Sequence, residues 1–259
     1  MVEEGLDFLT LVNRNGVVIH RFHNPPLSGD SMLNDPFIKI ALEKKAISGI
    51  QVLSGDELLK EGRSLTEKAV IQSIPVPREK PARKIEETSG MVLKSAYPVL
   101  DFNGEVIGVL TGGVLLNRNY EMVGWIKNIV FKDAQYKGKE IGTATIFLGD
   151  LRISTNVMDK EGNRAIGTRA MKEVQEQVLG KGQPWIQRAF VVDEWYITAY
   201  EPTRDIQDKI VGMLYVGMLE SKYALMKERL ILLFFFFSMS GMLIALTVSF
   251  LLSYRMLKK

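Results

Sequence analysis

The sequence has no cysteine and only two histidines, His20 and His23, among its 259 residues. Without cysteine there is no disulfide scaffold, thiol nucleophile, iron–sulfur site, c-type haem attachment or thiolate zinc finger. The histidines stand three apart on a strand-like run and face opposite sides, a poor metal pair and little material for general-base chemistry. A surplus of one charge is also lacking. The formal net charge is +3, but without Arg255, Lys258 and Lys259 the chain holds 30 bases and 30 acids, all within residues 1–229. A nucleic-acid groove wants a clustered basic surplus, so no nucleic-acid partner is expected. There is no Walker loop, no G-x-G-x-x-G and no G-x-S-x-G. The adjacent acids Glu86-Glu87 and Asp193-Glu194 lack the facing geometry of paired-carboxylate catalysis. No catalytic residue, metal site or cofactor is expected.

Leu230 to Tyr254 is a run of 25 residues without a charge. At about 1.5 Å per residue it can cross a hydrocarbon layer of roughly 30 Å with some tilt. Lys222, Lys227 and Arg229 precede it and Arg255, Lys258 and Lys259 follow, so counting Lys and Arg barely orients it. Residues 255–259 read as the start of a cytoplasmic segment. Met1-Val-Glu-Glu-Gly-Leu is not an export signal, and the chain is expected to be a fragment of a longer protein.

Residues 1–229 read as strands with short helices. Asn15-Gly16 marks a hairpin between Leu6–Asn13 and Val17–Phe22. Asp35-Pro36 opens a helix to about Ile47, stopped by Gly49. Ser54-Gly-Asp-Glu57 is a capping box for a helix ending near Gly62. A loop with Pro75, Pro77 and Pro81 carries Arg78, Lys80, Arg83 and Lys84. It reads as a solvated connector more readily than as a phosphate grip. Met91–Leu100 and Val106–Leu116 pair around Asn103-Gly104. A second cycle places strands at Thr143–Leu148, Arg152–Val157, Trp185–Val192, Trp195–Glu201 and Ile210–Leu219, with a helix capped by Thr168 and running to Leu179. The cycles resemble each other: Tyr97 precedes Gly108 by 11 residues, and Tyr200 precedes Gly212 by 12. Two α+β modules of about 100 residues each fit this: a distal one over 1–126, a connection at 127–141, a proximal one over 142–224, and the membrane helix at 230–254. Almost no linker separates the last strand from that helix, and a short rigid join can pass displacement where a floppy stalk cannot.

Alternation along Arg152-Ile-Ser-Thr-Asn-Val157 sets Arg152, Ser154 and Asn156 on one face. That row is either a solvated face or the wall of a cleft offering a guanidinium to a carboxylate or phosphate. Arg164 follows the turn, and a helix start at Thr168 would favour an anion. Tyr196 and Tyr200 share a strand face. Tyrosines wall a pocket while offering a hydroxyl, although aromatic residues on strands are more often core. Tyr97 is expected to take the place of Tyr200 in the first cycle.

The stretch Thr145–Val157, with Arg164-Ala-Ile-Gly-Thr-Arg169, Ala189-Phe-Val-Val192, Trp195-Tyr196, Ala199-Tyr-Glu-Pro202 and Val211–Gly217, resembles a double Cache sensor domain. The likeness is to the Cache fusion type of bacterial sensor histidine kinases and chemoreceptors. Leu6–Thr10, Asn34-Asp-Pro36 and Gly112–Tyr120 look like its membrane-distal half. The resemblance implies an α+β fold of two tandem PAS-like modules with antiparallel sheets outside the inner membrane, followed by one membrane helix. It also implies a homodimer in the full-length receptor. The family's first membrane helix and nearly all of its long first helix are expected to lie outside this sequence, which is why a fragment is expected. An Arg shortly before Trp-Tyr, part of the family's amino-acid motif, is replaced by Val192-Asp-Glu, so the resemblance does not support an amino-acid ligand.

The leading expectation is a ligand-sensing input region of a membrane receptor, not an enzyme. Its partner would be a small molecule, with a carboxylate the class that suits Arg152, Ser154, Asn156, Arg164, Thr168, Tyr196, Tyr200 and Tyr97. A membrane-anchored hydrolase relying on His20 or His23 and a purely structural dimerisation module are the rivals.

Overall fold

The computed structural model describes residues 5–74, 86–132, 135–136, 139–140, 142–192 and 194–257. For 135–136, 139–140, 221–229, 251, 252, 254, 255 and 257 it describes the backbone alone. The loop with Arg78, Lys80, Arg83 and Lys84 therefore lies outside the described residues, as do Asp193, Lys258 and Lys259.

Alternating buried side chains form β1 (Phe8–Asn13), which turns at Gly16 into β2 (Val18–Arg21). Gly16 has a φ of 73°, the left-handed region that glycine enters freely. Asp35 caps α1 (Pro36–Leu42), its carboxylate accepting from the Phe37 amide. The expected helix to Ile47 ends early because Lys44 adopts a left-handed φ of 65°. The chain re-emerges as β3 (Ile47–Leu53), a strand the sequence reading missed. Gly49 does not stop a helix; it sits in β3, where a Cβ would strike the Ile206 side chain. The expected capping box is formed in full, with Ser54 and Glu57 starting α2 (Gly55–Glu61). α3 (Arg63–Ala69) follows, then a small ribbon of β4 (Ile71–Gln72) with β5 (Glu86–Glu87). β6 (Gly90–Leu100) and β7 (Val106–Leu115) complete an antiparallel sheet in the order β2-β1-β7-β6-β3.

α4 (Tyr120–Phe131), capped by Asn119, leads to the short pair β8 (Gln135–Tyr136) and β9 (Lys139–Glu140). The second sheet contains β10 (Gly142–Leu148), β11 (Leu151–Thr155), β12 (Trp185–Val191), β13 (Glu194–Arg204) and β14 (Ile210–Leu219), in the order β11-β10-β14-β13-β12. Both five-stranded sheets thus share one order, second-first-fifth-fourth-third. The helix expected from Thr168 starts later: α5 (Lys172–Val174) continues as a π-helical segment, Gln175–Gly180, and Met171 precedes it without a side-chain cap. Thr168 instead lies in the loop before it.

Two neighbouring clusters make up the distal core on that sheet's inner face, one beneath α2 and α3 and one beneath α1. A third, with Phe147, Tyr200, Met213 and Tyr215, lies beneath Val174 and Val178 of the proximal cover. A fourth joins the halves, bringing Ile71, Met91 and Leu116 together with Val123 of α4 and Ala144, Leu151 and Ile153 of the proximal sheet. α4 therefore belongs to the proximal packing, and a boundary after residue 126 falls inside it. The amide of Arg118 donates to the carbonyl of Ile153, and that of Ile74 to Gly167, so backbone bonds also cross the junction.

α6 (Glu220–Leu257) begins on the residue after β14 ends. At about 1.5 Å per residue its 38 residues extend about 57 Å. Leu230–Phe250 is long and apolar enough to cross a membrane, with none of it buried against the rest of the protein.

Candidate ligand-binding site

A cavity of about 180 Å³ opens in the distal half, among β2, β3, β6, α2 and the segment before α1. Three cationic side chains (Arg21, Lys60, Lys94) and four anionic ones (Asp30, Asp35, Glu57, Glu61) line it. Arg21 and Lys94 are each about 1% exposed. Burial of two charges on a sheet face is costly unless each is matched by opposite charge and hydrogen bonds.

Local structure supplies the match. Arg21 ends β2 opposite Thr10 of β1. Its Nη1 and Nη2 donate to the two Asp30 oxygens at 2.6 and 3.0 Å, and Nε donates to Glu61 Oε1 at 3.1 Å. Thr10 donates to the other Glu61 oxygen at 2.5 Å. Glu61 is the last residue of α2, whose start is fixed by the capping box. The Arg21 guanidinium holds the Asp30 carboxyl below the usual carboxylate range, against the upward push of burial. Lys94 sits on β6 between the buried Val92 and Ala96. Its ammonium donates to Asp35 and to Gln51 Oε1, the latter at 3.0 Å, and stands 5.2 Å from the Phe37 ring centre. An ammonium has three donors, and two are used among the described residues.

None of these residues was among the sequence candidates. Lys94 carries the clearest signal, because a lysine at an inward position of an alternating apolar strand is a buried charge needing a partner.

The proximal candidates separate instead of converging. A bulge between Ile146 and Phe147 pairs Arg152 with Phe147 but Ser154 with Ile146. Arg152 therefore enters the proximal core, while Ser154 faces α4 and donates to the Asn119 carbonyl at 2.8 Å. Asn156 bonds the β10 backbone, accepting from the Ala144 amide at 2.7 Å and donating to the Gly142 carbonyl. Arg164 donates to the Thr155 carbonyl at 2.6 Å and stacks 4.2 Å over Tyr120. The expected single polar row of Arg152, Ser154 and Asn156 is thus broken by one extra residue.

Arg152, Thr168, Tyr196 and Tyr200 remain on the proximal inner face. Arg152 is 2% exposed, lies 5.1 Å from the Phe147 ring centre and donates from Nη1 to Thr168. Burial lowers its pKa, opposed by the neighbouring tyrosines. Burial pushes the Tyr200 hydroxyl up to about 12 and raises Tyr215 as well.

Tyr97 does not take the place of Tyr200. Gly108 pairs with Val99 and Gly212 with Thr203, so Ala96, not Tyr97, occupies the position equivalent to Tyr200. The one-residue difference in spacing turns the ring to the other face. Tyr97 is 66% exposed and Tyr200 is 2% exposed.

Two antiparallel sheets of one shared order, each covered on its inner face, give the chain a PAS-like α+β fold. Residues 114–229 match the family Single cache domain 3. The match lies over α4 and the proximal sheet, and the distal half repeats that sheet's strand order, which fits two Cache-type modules in tandem. None of the curated proteins matches the chain. Similar solved structures include the periplasmic domain of Vibrio cholerae LuxQ, at 12% identity and a TM-score of 0.39 over 84% of this chain and 74% of that one. The V. cholerae histidine kinase DctB sensor domain gives 11%, 0.38, 83% and 72%. The ligand-binding domain of the Pseudomonas aeruginosa amino-acid chemoreceptor PctB, in complex with L-Arg, gives 14%, 0.36, 85% and 74%.

Proposed function

We propose that this chain is the extracytoplasmic, ligand-sensing input region of a receptor in the bacterial inner membrane, of the histidine-kinase or chemoreceptor kind, working as a homodimer. One observation carries the reading: the distal cavity of about 180 Å³, walled by two buried cations and their carboxylates. Its volume exceeds the roughly 150 Å³ cavity that accepts a benzene ring, so a small metabolite fits. A purely structural module would gain nothing from burying such groups around open space.

The ligand class follows from the Lys94–Asp35 pair. A simple carboxylate that captured Lys94 would leave Asp35 without its cation, and a simple amine would do the reverse. A molecule carrying both groups replaces each half of the pair and leaves no charge alone. We therefore assign an amine-bearing carboxylate to this cavity, a different class and a different place from the anion expected from the sequence at Arg152, where an amino acid was not supported.

The route outward begins beside the same pair. Asp35 caps α1, and Phe37 of that helix packs in one cluster with Ile206, at the tip of the β13–β14 hairpin. Ile50 and Asp205 form a parallel bridge, and a cleft of about 420 Å³ between hairpin and distal module leaves room for movement. β14 then continues directly into α6.

The test is titration calorimetry of the full chain in nanodiscs against the common amino acids. At least one should bind saturably, and Lys94→Gln should weaken it about tenfold or more, the loss of a charged hydrogen bond of about 1.5–3 kcal/mol. If no amino acid binds, or Lys94→Gln binds as tightly as wild type, the site is misassigned.

A further inference from the structure

We propose that Arg152 anchors a second binding site, in the proximal module, for a small organic acid without an amine. Arg152 and Arg21 both point inward from the second strand of a sheet with one shared order, Arg152 opposite Phe147 and Arg21 opposite Thr10. Their surroundings differ. Arg21 is held by Asp30 and Glu61. Arg152, equally buried, has no carboxylate partner among the described residues; its one acceptor there is the Thr168 hydroxyl, reached from Nη1. Nε is buried without a partner.

The other unmet groups on this face are donors too. Trp185 Nε1 is buried without a partner, and Trp185 stands directly opposite Tyr200 on the neighbouring strand. The Tyr200 ring lies 6.1 Å from Phe147, the ring under the Arg152 guanidinium. Its hydroxyl makes no hydrogen bond among the described residues, and its raised pKa keeps it a neutral donor. The hydroxyls nearby already bond within the sheet: Thr145 with Thr155, Thr143 with Tyr215, and Thr198 to the Gln187 carbonyl. Burying a cation with further donors and no carboxylate among the described residues leaves Arg152 Nε and Trp185 Nε1 unsatisfied. A carboxylate supplies what is missing. With Nη1 fixed by Thr168, the Nε edge of the guanidinium can present a two-pronged face to it, and Tyr200 can add a third donor.

The cover above this face includes the small side chains Ala165 and Ala170 and the π-helical segment Gln175–Gly180. π-Helical turns recur at functional sites. This inference stands apart from the distal reading, since its ligand lacks the amine that the Lys94–Asp35 pair calls for.

The experiment follows thermal unfolding and calorimetric binding of the full chain in nanodiscs, in carboxylate-free buffer, with acetate, pyruvate and succinate as probes. At least one acid should raise the unfolding midpoint and bind saturably. Arg152→Met should lower that affinity about 30-fold or more, the scale expected when one member of a buried charge pair is truncated. Without acid, Arg152→Met should melt above wild type, because it removes an uncompensated buried charge. Tyr200→Phe should bind several-fold more weakly. Lys94→Gln should respond to the acid as wild type does, which separates this site from the distal one. The proposal is overturned if no probe binds, if Arg152→Met binds as wild type or melts lower without acid, or if Lys94→Gln abolishes the response.

Discussion

The two buried arginines show how the same residue type acquires opposite roles from its neighbours. Arg21 meets a bidentate carboxylate, a second carboxylate and the Leu27 carbonyl, so its charge is matched in place. That match has a pH signature. Asp30 releases its proton more readily in the folded chain than in the unfolded one, chiefly through its hydrogen bonds from Arg21. A depressed carboxylate contributes stability that is complete above its unfolded pKa, about 4, and is lost as pH falls through the lower folded value. We expect the thermal midpoint to lose nothing from this pair between pH 7 and 5 and to fall below about pH 4. Asp30→Asn should start lower at pH 7, by less than the roughly 3–5 kcal/mol of a fully buried pair because Asp30 is partly exposed, and its midpoint should change less below pH 4. An Asp30→Asn melting curve that tracks wild type across this range would show that the pair does not hold the cavity wall.

At the scale of elements, what was legible followed from local rules, and what was not followed from single-residue shifts. The Ser54–Glu57 box, the turn at Gly16 and every strand of the two five-stranded sheets except β3 depend on neighbours within a few residues, and these were readable. β3 was missed because a capped start and an apolar run look like a longer helix; the left-handed Lys44 that ends it leaves no compositional trace. The bulge between Ile146 and Phe147 is equally silent, yet it sends Ser154 to the opposite face from Arg152. The distal cavity was overlooked for another reason: its charges come from β2, β6, α2 and the loop before α1, and only the fold assembles them. The internal repeat was legible through its glycines. A Cβ on Gly108 would strike the Val12 carbonyl, and one on Gly212 the Phe147 carbonyl, so each glycine lets the fifth strand of its sheet approach the first. Gly212→Ala should therefore cost about 1–3 kcal/mol in denaturant unfolding. Gly124→Ala, on α4 with open space around it, should not destabilise the chain. Equal stability of Gly212→Ala and wild type would contradict this strand packing.

For the whole molecule the question is whether occupancy of the distal cavity reaches α6. Moving an equilibrium from 1:99 to 99:1 needs a ligand preference of about 5.5 kcal/mol for one state, which a few charge-assisted hydrogen bonds of about 1.5–3 kcal/mol each can supply. The preference must then cross the junction, and a packed residue with two arrangements does this better than a polar surface. Ile206 is placed for it: the tip of a proximal hairpin, seated in the distal cluster with Phe37 and Ile47. Beyond it, β14 meets α6 without an intervening residue, and Arg188 binds Glu220 at 2.8 Å, holding the start of α6 to the edge strand β12. Because the chain has no cysteine, a spin label on Ser253→Cys, exposed near the far end of α6, reports helix depth without background. In nanodiscs, the amino acid that binds the distal cavity should shift that depth in the otherwise wild-type chain. Ile206→Ala should lower stability by about 1–2 kcal/mol for a half-buried side chain, keep binding within a few-fold and abolish the shift. A shift that survives Ile206→Ala would move the coupling to the shared core of Met91, Leu116, Val123 and Ile153. No shift in either chain would mean that occupancy does not reach the membrane.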